Sequence, residues 1–431
     1  MSSDSIVVHE TKRLNGEVTV PGDKSISHRA IILGSLAQGK VMVTGLSSGE
    51  DNRRTVKIFQ QLGVIIKKRG PAEYLLHGKG LHGLREPGSI LYAGNSGTTM
   101  RLMTGVLSGQ PFFSVLSGDA SLNARPMKRV VTPLREMGAR ISGRDGGNYA
   151  PLAIQGGKLQ AARFALPVAS AQVKSAIVLA GFYADGTTMV QEPVPSRDHT
   201  ERMLRYLGAP LEVSAAGLAV TGGGELKGDL IEVPGDLSSA AFLIVAGLLV
   251  HDAEVLVRSV GVNPTRTGFL EILQNMGARI ELLNMREMSG EPVADIRVRA
   301  GRLTGVTING AIIPRTIDEL PILAVAAAYA EGTTIIRDAR ELRVKETDRI
   351  AAMCTELKKM GADIEAQDDG MIIRGKESLS AAVCTSYGDH RVAMAMAVAG
   401  LAAQGETRVE DCACIKTSFP GFMNCLQSLM G

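Results

Sequence analysis

Cations stand within one turn of a helix start again and again in this sequence. One set of starts reads Gly22-Asp23-Lys24-Ser25-Ile26-Ser27-His28-Arg29, Gly94-Asn95-Ser96-Gly97-Thr98-Thr99-Met100-Arg101 and Ala169-Ser170-Ala171-Gln172-Val173-Lys174-Ser175. It continues with Gly235-Asp236-Leu237-Ser238, Thr316-Ile317-Asp318-Glu319 and Gly388-Asp389-His390-Arg391. A second set reads Asn123-Ala124-Arg125-Pro126, Ser196-Arg197-Asp198-His199-Thr200, Lys345-Glu346-Thr347-Asp348-Arg349 and Ile415-Lys416-Thr417-Ser418. Ser, Thr, Asn and Asp cap free backbone N–H groups at such places, and capping is a sufficient account of any single start. It does not account for Lys24, Arg29, Arg101, Arg125, Arg197, Lys345, Arg349, Arg391 and Lys416. A cation at a helix N-terminus opposes the helix dipole, so its repeated placement implies that something negative lies in front of it. Helix N-termini combined with Lys and Arg make an anion site. These cations exceed the need of one monophosphate and suit a substrate pair with several phosphates and carboxylates.

Three acids stand among the cations: Asp318, Glu346 and Asp389. Asp318 and Glu346 are candidates for proton transfer, because they lie on different segments and can flank a substrate. Asp389, two residues from Arg391, is expected to pair with it. His28 and His199 are read as structural or solvent-facing, and His390 as a donor to an anion. Two familiar phosphate motifs are excluded. Asp23-Lys24-Ser25 lacks both the glycine before the lysine and the earlier glycine of a P-loop. Gly94-x-x-Gly97 has neither the dinucleotide-binding spacing nor its acidic partner.

The elements that must hold these residues repeat. The segment 357–364 reads LKKMGADI, the end of an amphipathic helix, a glycine stop and the start of a strand. It returns as LREMGARI at 134–141 and LQNMGARI at 273–280, and more loosely as FQQLGVII at 59–66 and LRYLGAPL at 204–211. The glycines are Gly63, Gly138, Gly208, Gly277, Gly361 and Gly431, a period of about 70 residues, longer than a solenoid unit. Each period carries a second helix whose end also recurs, followed by a β-branched strand such as Thr187-Thr188-Met189-Val190 or Thr333-Thr334-Ile335-Ile336. The reading is an α/β chain of six units, each strand, helix, strand, helix, strand, with both helices buried on most sides. Six units divide into two lobes of three. The crossings are placed at Val18-Thr19-Val20-Pro21-Gly22 and Ile231-Glu232-Val233-Pro234-Gly235, giving one lobe from 1–20 and 235–431 and another from 21–234.

Composition narrows the class of function. An apolar fraction of 45% and a charged fraction of 21% are those of a globular protein. The net charge of +3 is too small to argue for nucleic acid. The apolar runs 240–250, 320–330 and 393–403 are too short for a membrane span. The start of the sequence shows no basic-then-apolar signal pattern. Five cysteines without paired metal spacing suggest free thiols in a reducing cytoplasm. No interface stripe argues for more than a monomer.

Residues 21–30 (PGDKSISHRA), 94–101 (GNSGTTMR), 343–349 (RVKETDR) and 388–391 (GDHR) closely resemble the 5-enolpyruvylshikimate-3-phosphate synthase family of enolpyruvyl transferases. Four motifs in order, across the chain from about residue 10 onward, make the resemblance specific. It implies two lobes, each of three βαβαββ units; with helix N-termini facing an interlobe cleft and ligand groups on both sides of the hinge, the first substrate is expected to draw the lobes together. It implies transfer of the enolpyruvyl group of phosphoenolpyruvate to the 5-hydroxyl of shikimate 3-phosphate, through a tetrahedral intermediate and with loss of phosphate. Phosphoenolpyruvate contacts are implied for Lys24, Gly97, Arg125, Gln172, Arg349, His390, Arg391 and Lys416. Shikimate 3-phosphate contacts are implied for Ser25, Arg29, Ser170, Gln172, Ser196, Arg197, Asp318 and Lys345. Glu346 would give the proton to the methylene carbon, and Asp318, with Lys24, would take the hydroxyl proton. No metal or organic cofactor is implied, and glyphosate is the expected inhibitor class.

Departures are visible. Ala171 stands where the family often has a second serine, and Glu341 where it often has asparagine. Arg197 and the 94–99 segment resemble the second bacterial class. Two other readings compete. UDP-N-acetylglucosamine enolpyruvyl transferases share the fold and donor but use a cysteine in the second unit, and 112–128 contains none. A non-catalytic anion-binding protein would need the cations but not the acids Asp318 and Glu346.

Overall fold

The structure, a computed structural model, describes residues 4–430. Gly431, the last of the recurring glycines, lies outside them. The chain divides into two compact units, one of Gly22–Val233 with Met288–Glu291, the other of the N-terminal segment to Pro21, Pro234–Glu287 and Pro292 onward. Each has its own hydrophobic core.

Three four-stranded sheets of one pattern, with a short parallel pair of Leu159–Gln160 and Ala184–Asp185, build the unit 22–233. In the first, strands Leu230–Glu232, Gln38–Thr44, Glu73–Lys79 and Ile65–Gly70 lie side by side in that order. The first pair is parallel and the rest antiparallel. The second repeats it with Leu91–Tyr92, Phe113–Ser117, Tyr149–Gln155 and Arg140–Gly143. The third does so with Arg163–Ala165, Thr187–Gln191, Gly217–Thr221 and Leu211–Ser214. In the other unit, Arg13–Thr19 leads a sheet with Asp252–Gly261, Glu291–Arg299 and Arg279–Met288. Thr307–Ile308 leads Thr333–Ile336, Gly370–Arg374 and Asp363–Gln367. The sixth sheet has three strands, Val383–Thr385, Glu406–Glu410 and Ile6–His9, the last brought from the start of the chain.

Leu91–Tyr92, Arg163–Ala165 and Val383–Thr385 run directly into the first helix of their own repeat, and Thr307–Ile308 reaches Leu320–Ala328 through the short helical segments Gly310–Ile312 and Ile313–Thr316. The other two leading strands are exchanged. Arg13–Thr19 precedes helix Lys24–Leu36 yet pairs in parallel with Asp252–Gly261. Leu230–Glu232 precedes helix Leu237–Leu249 yet pairs in parallel with Gln38–Thr44. Backbone contact is close in the unit 22–233 where this happens. A Cβ on Gly22 would lie 1.7 Å from the Gly45 carbonyl oxygen, and one on Gly45, whose φ is +71°, would lie 2.2 Å from that of Val233. Glycine is required at both.

The first helix of each repeat is apolar nearly all round and buried. Leu237–Leu249, Leu320–Ala328 and His390–Ala402 bury almost every residue, as do most of Lys24–Leu36, Gly97–Ser108 and Ala171–Gly181. The expectation that both helices are buried on most sides fails for the second. Glu50–Gln61, Lys128–Glu136, His199–Tyr206 and Arg349–Lys359 bury one face and present charges on the other. One apolar stripe suffices for a helix that covers a sheet from outside. Gly63, Gly138, Gly208, Gly277 and Gly361 end these second-helix segments in the left-handed conformation, with φ between +77° and +98°.

Candidate active site

The helix starts form two sets of side chains, one in each unit. In the unit 22–233, Asp23 caps helix Lys24–Leu36 by accepting the Ile26 N–H at 2.8 Å. Ser96 and Ser170 cap their helices through the N–H groups of Thr99 and Val173. Each such cap stabilises its helix by about 1 kcal/mol and fixes where the following cations emerge. Lys24 Nζ lies 3.3 Å from Asp51 Oδ2, and Asn52 donates to the Lys24 carbonyl. Arg101 donates to Gln172 Oε1 at 2.6 Å, and Gln172 donates to Thr98 Oγ1 at 2.9 Å. Arg125 donates to Asn95 Oδ1 at 2.7 Å, and Asn95 in turn donates to Asp119. Gly97 leaves room between the two arginines: a Cβ there would sit 2.9 Å from Arg101 Nη1 and 3.7 Å from Arg125 Nη1.

Arg29 is buried, and its guanidinium donates to Thr200 Oγ1, Ser175 Oγ and the Ser25 carbonyl. Burial lowers its pKa to about 10, against the opposing pull of Glu201 and Asp23. His28 is fully buried with Nδ1 2.8 Å from Thr55 Oγ1. Burial, with Lys24 and Arg29 beside it, holds its pKa well below the ordinary 6.5. His199 is buried too, with Nδ1 2.7 Å from Glu291 Oε1. Both histidines are structural rather than solvent-facing. Ser196 is buried, and its Oγ has no hydrogen-bond partner among the described residues. A buried hydroxyl in that state is poised for an acceptor from outside the chain.

In the other unit the site is built around Arg349, the first residue of helix Arg349–Lys359 and 1% exposed in its side chain. Its Nε donates to Asp389 Oδ2 at 2.8 Å and its Nη2 to Glu346 Oε2 at 2.7 Å, while Nη1 lies 3.7 Å from Asp318 Oδ1. Asp318 and Glu346, from different repeats, are thus gathered on one guanidinium. Burial would lower the pKa of Arg349, but Asp389 and Glu346 outweigh it and raise it above its ordinary value. Burial likewise works against the charge on Asp389, and Arg349 and His390 override it, leaving the carboxyl below its usual range. Exposure separates the acids: the Asp389 side chain is fully buried, while Asp318 is 18% and Glu346 25% exposed. Only the latter two are reachable by a ligand.

The expected pairing of Asp389 with Arg391 is corrected. Asp389 holds the Arg349 guanidinium and caps its own helix through the Arg391 backbone N–H. The Arg391 side chain instead donates to the Asp318 carbonyl at 2.8 Å, with Nη2 3.8 Å from Asp318 Oδ2. Two residues apart at a helix start, the cap and the following side chain diverge. Lys345 pairs with Glu341 at 2.7 Å. Lys416 is exposed and pairs with Asp4 at 2.9 Å.

Several members of these networks were not singled out from the sequence. Asp51, Glu192 and Glu201 hold Lys24 and Lys174, and Arg266 and Glu319 meet Ser238 at the start of helix Leu237–Leu249. One signal was available: Lys174 is a cation inside an otherwise apolar helix, and a buried cation demands an acid nearby.

Six repeated α/β units with donors and carboxylates collected at helix starts define a class of proteins that handle multiply anionic small molecules. The family described as EPSP synthase (3-phosphoshikimate 1-carboxyvinyltransferase) matches residues 8–426. The chain belongs to the EPSP synthase family. It is 58% identical over 423 residues to the 3-phosphoshikimate 1-carboxyvinyltransferase of Citrifermentans bemidjiense, covering 98% of each chain. It is 57% identical to that of Geobacter sulfurreducens over 97% of each. The solved EPSP synthase of Acinetobacter baumannii superposes with a TM-score of 0.90 at 45% identity, covering 99% of this chain and 98% of that one.

Proposed function

We propose that this chain transfers the enolpyruvyl group of phosphoenolpyruvate to the 5-hydroxyl of shikimate 3-phosphate and releases phosphate, a step of aromatic amino-acid biosynthesis. Family membership over residues 8–426 carries the reaction. The gathering of Asp318 and Glu346 on Arg349 supports the chemical roles. Glu346 protonates the methylene carbon of phosphoenolpyruvate, which leaves positive character on the adjacent carbon. The 5-hydroxyl oxygen attacks that carbon, and its proton passes to Asp318, with Lys24 assisting. The tetrahedral intermediate then loses phosphate and returns a methyl proton, restoring the carbon–carbon double bond in the product.

Lys24, Gly97, Arg125, Gln172, Arg349, His390, Arg391 and Lys416 take the phosphoenolpyruvate side of this reading. Ser25, Arg29, Ser170, Gln172, Ser196, Arg197, Asp318 and Lys345 take the shikimate 3-phosphate side. The unpartnered Ser196 hydroxyl and the donors around Gly97 support that division. Bringing two polyanions together needs many fixed donors, and side chains held by caps and networks lose little freedom when they bind. The enzyme works as a cytoplasmic monomer without a metal. Five free cysteines, with thiols such as Cys384 pushed by burial to about 12, support a reducing location. No helix among the described residues is long and apolar enough to cross a membrane.

The test is phosphate release from phosphoenolpyruvate with shikimate 3-phosphate as acceptor and UDP-N-acetylglucosamine as control. Release with the shikimate alone is expected. Release with the sugar nucleotide alone would reassign the acceptor, and release with neither would leave an anion-binding protein. Sedimentation velocity at micromolar concentration is expected to give a single species of 45.5 kDa.

A further inference from the structure

Glu192 follows strand Thr187–Gln191 and has no part in the substrate contacts proposed above. Its carboxylate makes three contacts. Oε1 accepts the Ser170 N–H at 3.1 Å, and Oε2 accepts the Ser196 N–H at 3.2 Å and lies 2.7 Å from Lys174 Nζ. Lys174 also lies 2.7 Å from Glu201 Oε1, and the three side chains are 8%, 6% and 7% exposed. A buried ionic group of this kind contributes little to stability beyond what apolar side chains of the same volume would provide. What it does supply is fixed geometry. One carboxylate spans the backbone amides of two separate segments, the cap of helix Ala171–Gly181 and the loop before helix His199–Tyr206.

Both bridged residues are serines, and both have a hydroxyl proton to give. Ser170 Oγ accepts the Val173 N–H, which leaves its own O–H available as a donor. Ser196 Oγ is buried without a hydrogen-bond partner among the described residues. A phosphomonoester needs donors at a set separation. The separation of these two hydroxyls is governed by the carboxylate beneath their backbones.

We propose that Glu192 is a positioning residue for the phosphate of shikimate 3-phosphate, holding the Ser170 and Ser196 hydroxyls at the spacing that binds it. This rests on the substrate reading above. Glu201 shares Lys174 but touches neither serine amide, so it separates charge balance from positioning.

The experiment compares Glu192→Asp, which keeps the charge but shortens the reach by one methylene, with Glu201→Gln. Steady-state kinetics on each substrate and thermal melts are recorded for both. Glu192→Asp is expected to raise KM for shikimate 3-phosphate about tenfold, the loss expected when charge-assisted hydrogen bonds are misaligned. Its kcat and its KM for phosphoenolpyruvate are expected to stay within about twofold, and Glu201→Gln is expected to lower Tm without that KM shift. If Glu192→Asp does not fold, Glu192→Gln, of unchanged length, carries the same expectation. An unchanged KM for shikimate 3-phosphate in the Glu192 variant, or an equal rise in Glu201→Gln, would overturn the assignment. Wild-type protein that turns over no shikimate 3-phosphate would instead overturn the substrate reading itself, and this assignment with it.

Discussion

Arg29 and Arg349 are both buried guanidiniums at helix starts, one in each unit, and their surroundings act in opposite directions. Arg29 donates to two hydroxyls and a carbonyl, and burial lowers its pKa to about 10. Arg349 is ringed by Asp389, Glu346 and Asp318, and its pKa is raised. The hydrogen-bond partners of Arg29 are neutral, and burial outweighs the pull of Glu201 and Asp23 on its charge. Carboxylate partners hold the Arg349 charge in place, so Arg349 gathers acids around itself. Arg125, held by Asn95 and Ser121, resembles Arg29. These arginines of the unit 22–233 thus donate to neutral groups, and Arg349 of the other donates to acids.

Removing the proton donor gives the largest effect expected from this contrast. Glu346→Gln should lower kcat by roughly two to four orders of magnitude if it is the general acid. Calorimetric affinities for both substrates should stay near wild type. Turnover close to normal would move the acid role to another residue.

Stability tests the contrast directly. Arg349→Met leaves Asp389 buried without its counter-ion and should cost about 3–5 kcal/mol in urea unfolding. Arg29→Met leaves only hydroxyls and a carbonyl without a donor and should cost about 1–3 kcal/mol. Equal losses would mean that the two arginines do the same work.

The smallest expected effect is in mild acid. His28 is held well below 6.5 in the folded chain, so the unfolded chain takes up its proton first as pH falls. Stability is complete above pH 6.5 and is lost below it, by about 1 kcal/mol between pH 7 and 5.5. Asp389 behaves differently. Its folded pKa is depressed, so its contribution is present above the unfolded value and lost only as pH falls through the lower folded one. Hydrogen exchange resolved by region should show the unit 22–233 weakening first, and His28→Asn should flatten that loss. A wild-type unit equally stable at pH 7 and 5.5 would refute it.

Much of this was legible before any coordinates. The glycines ending the second helices, the Asp and Ser caps and the cations behind them depend on residues within one turn of each other, where backbone geometry follows from local chemistry. The partnership of Asp389 was misread for a related reason. Proximity in sequence favoured Arg391, but the cap geometry turns the carboxylate toward Arg349, 40 residues away. The pairing of Lys416 with Asp4 joins opposite ends of the chain and has no local signal. The crossings at Pro21-Gly22 and Pro234-Gly235 put Arg13–Thr19 and Leu230–Glu232 in lobes other than those of the helices they precede, but which strand each pairs with was not legible. Both strands lead into a Pro-Gly and a polar helix start, so nothing local tells one partner from the other.

The sequence by itself determined the repeat, the helix boundaries, the family motifs and the surplus of cations at helix starts. These follow from periodicity and capping, which act over a few residues. Tertiary structure decided which cations meet carboxylates and which meet hydroxyls, which strand leads which sheet, and that Glu192 bridges two serine amides. Those outcomes depend on which distant segments share a desolvated interior. There a charge must find its partner wherever the fold has placed one, and sequence separation carries no information about that distance.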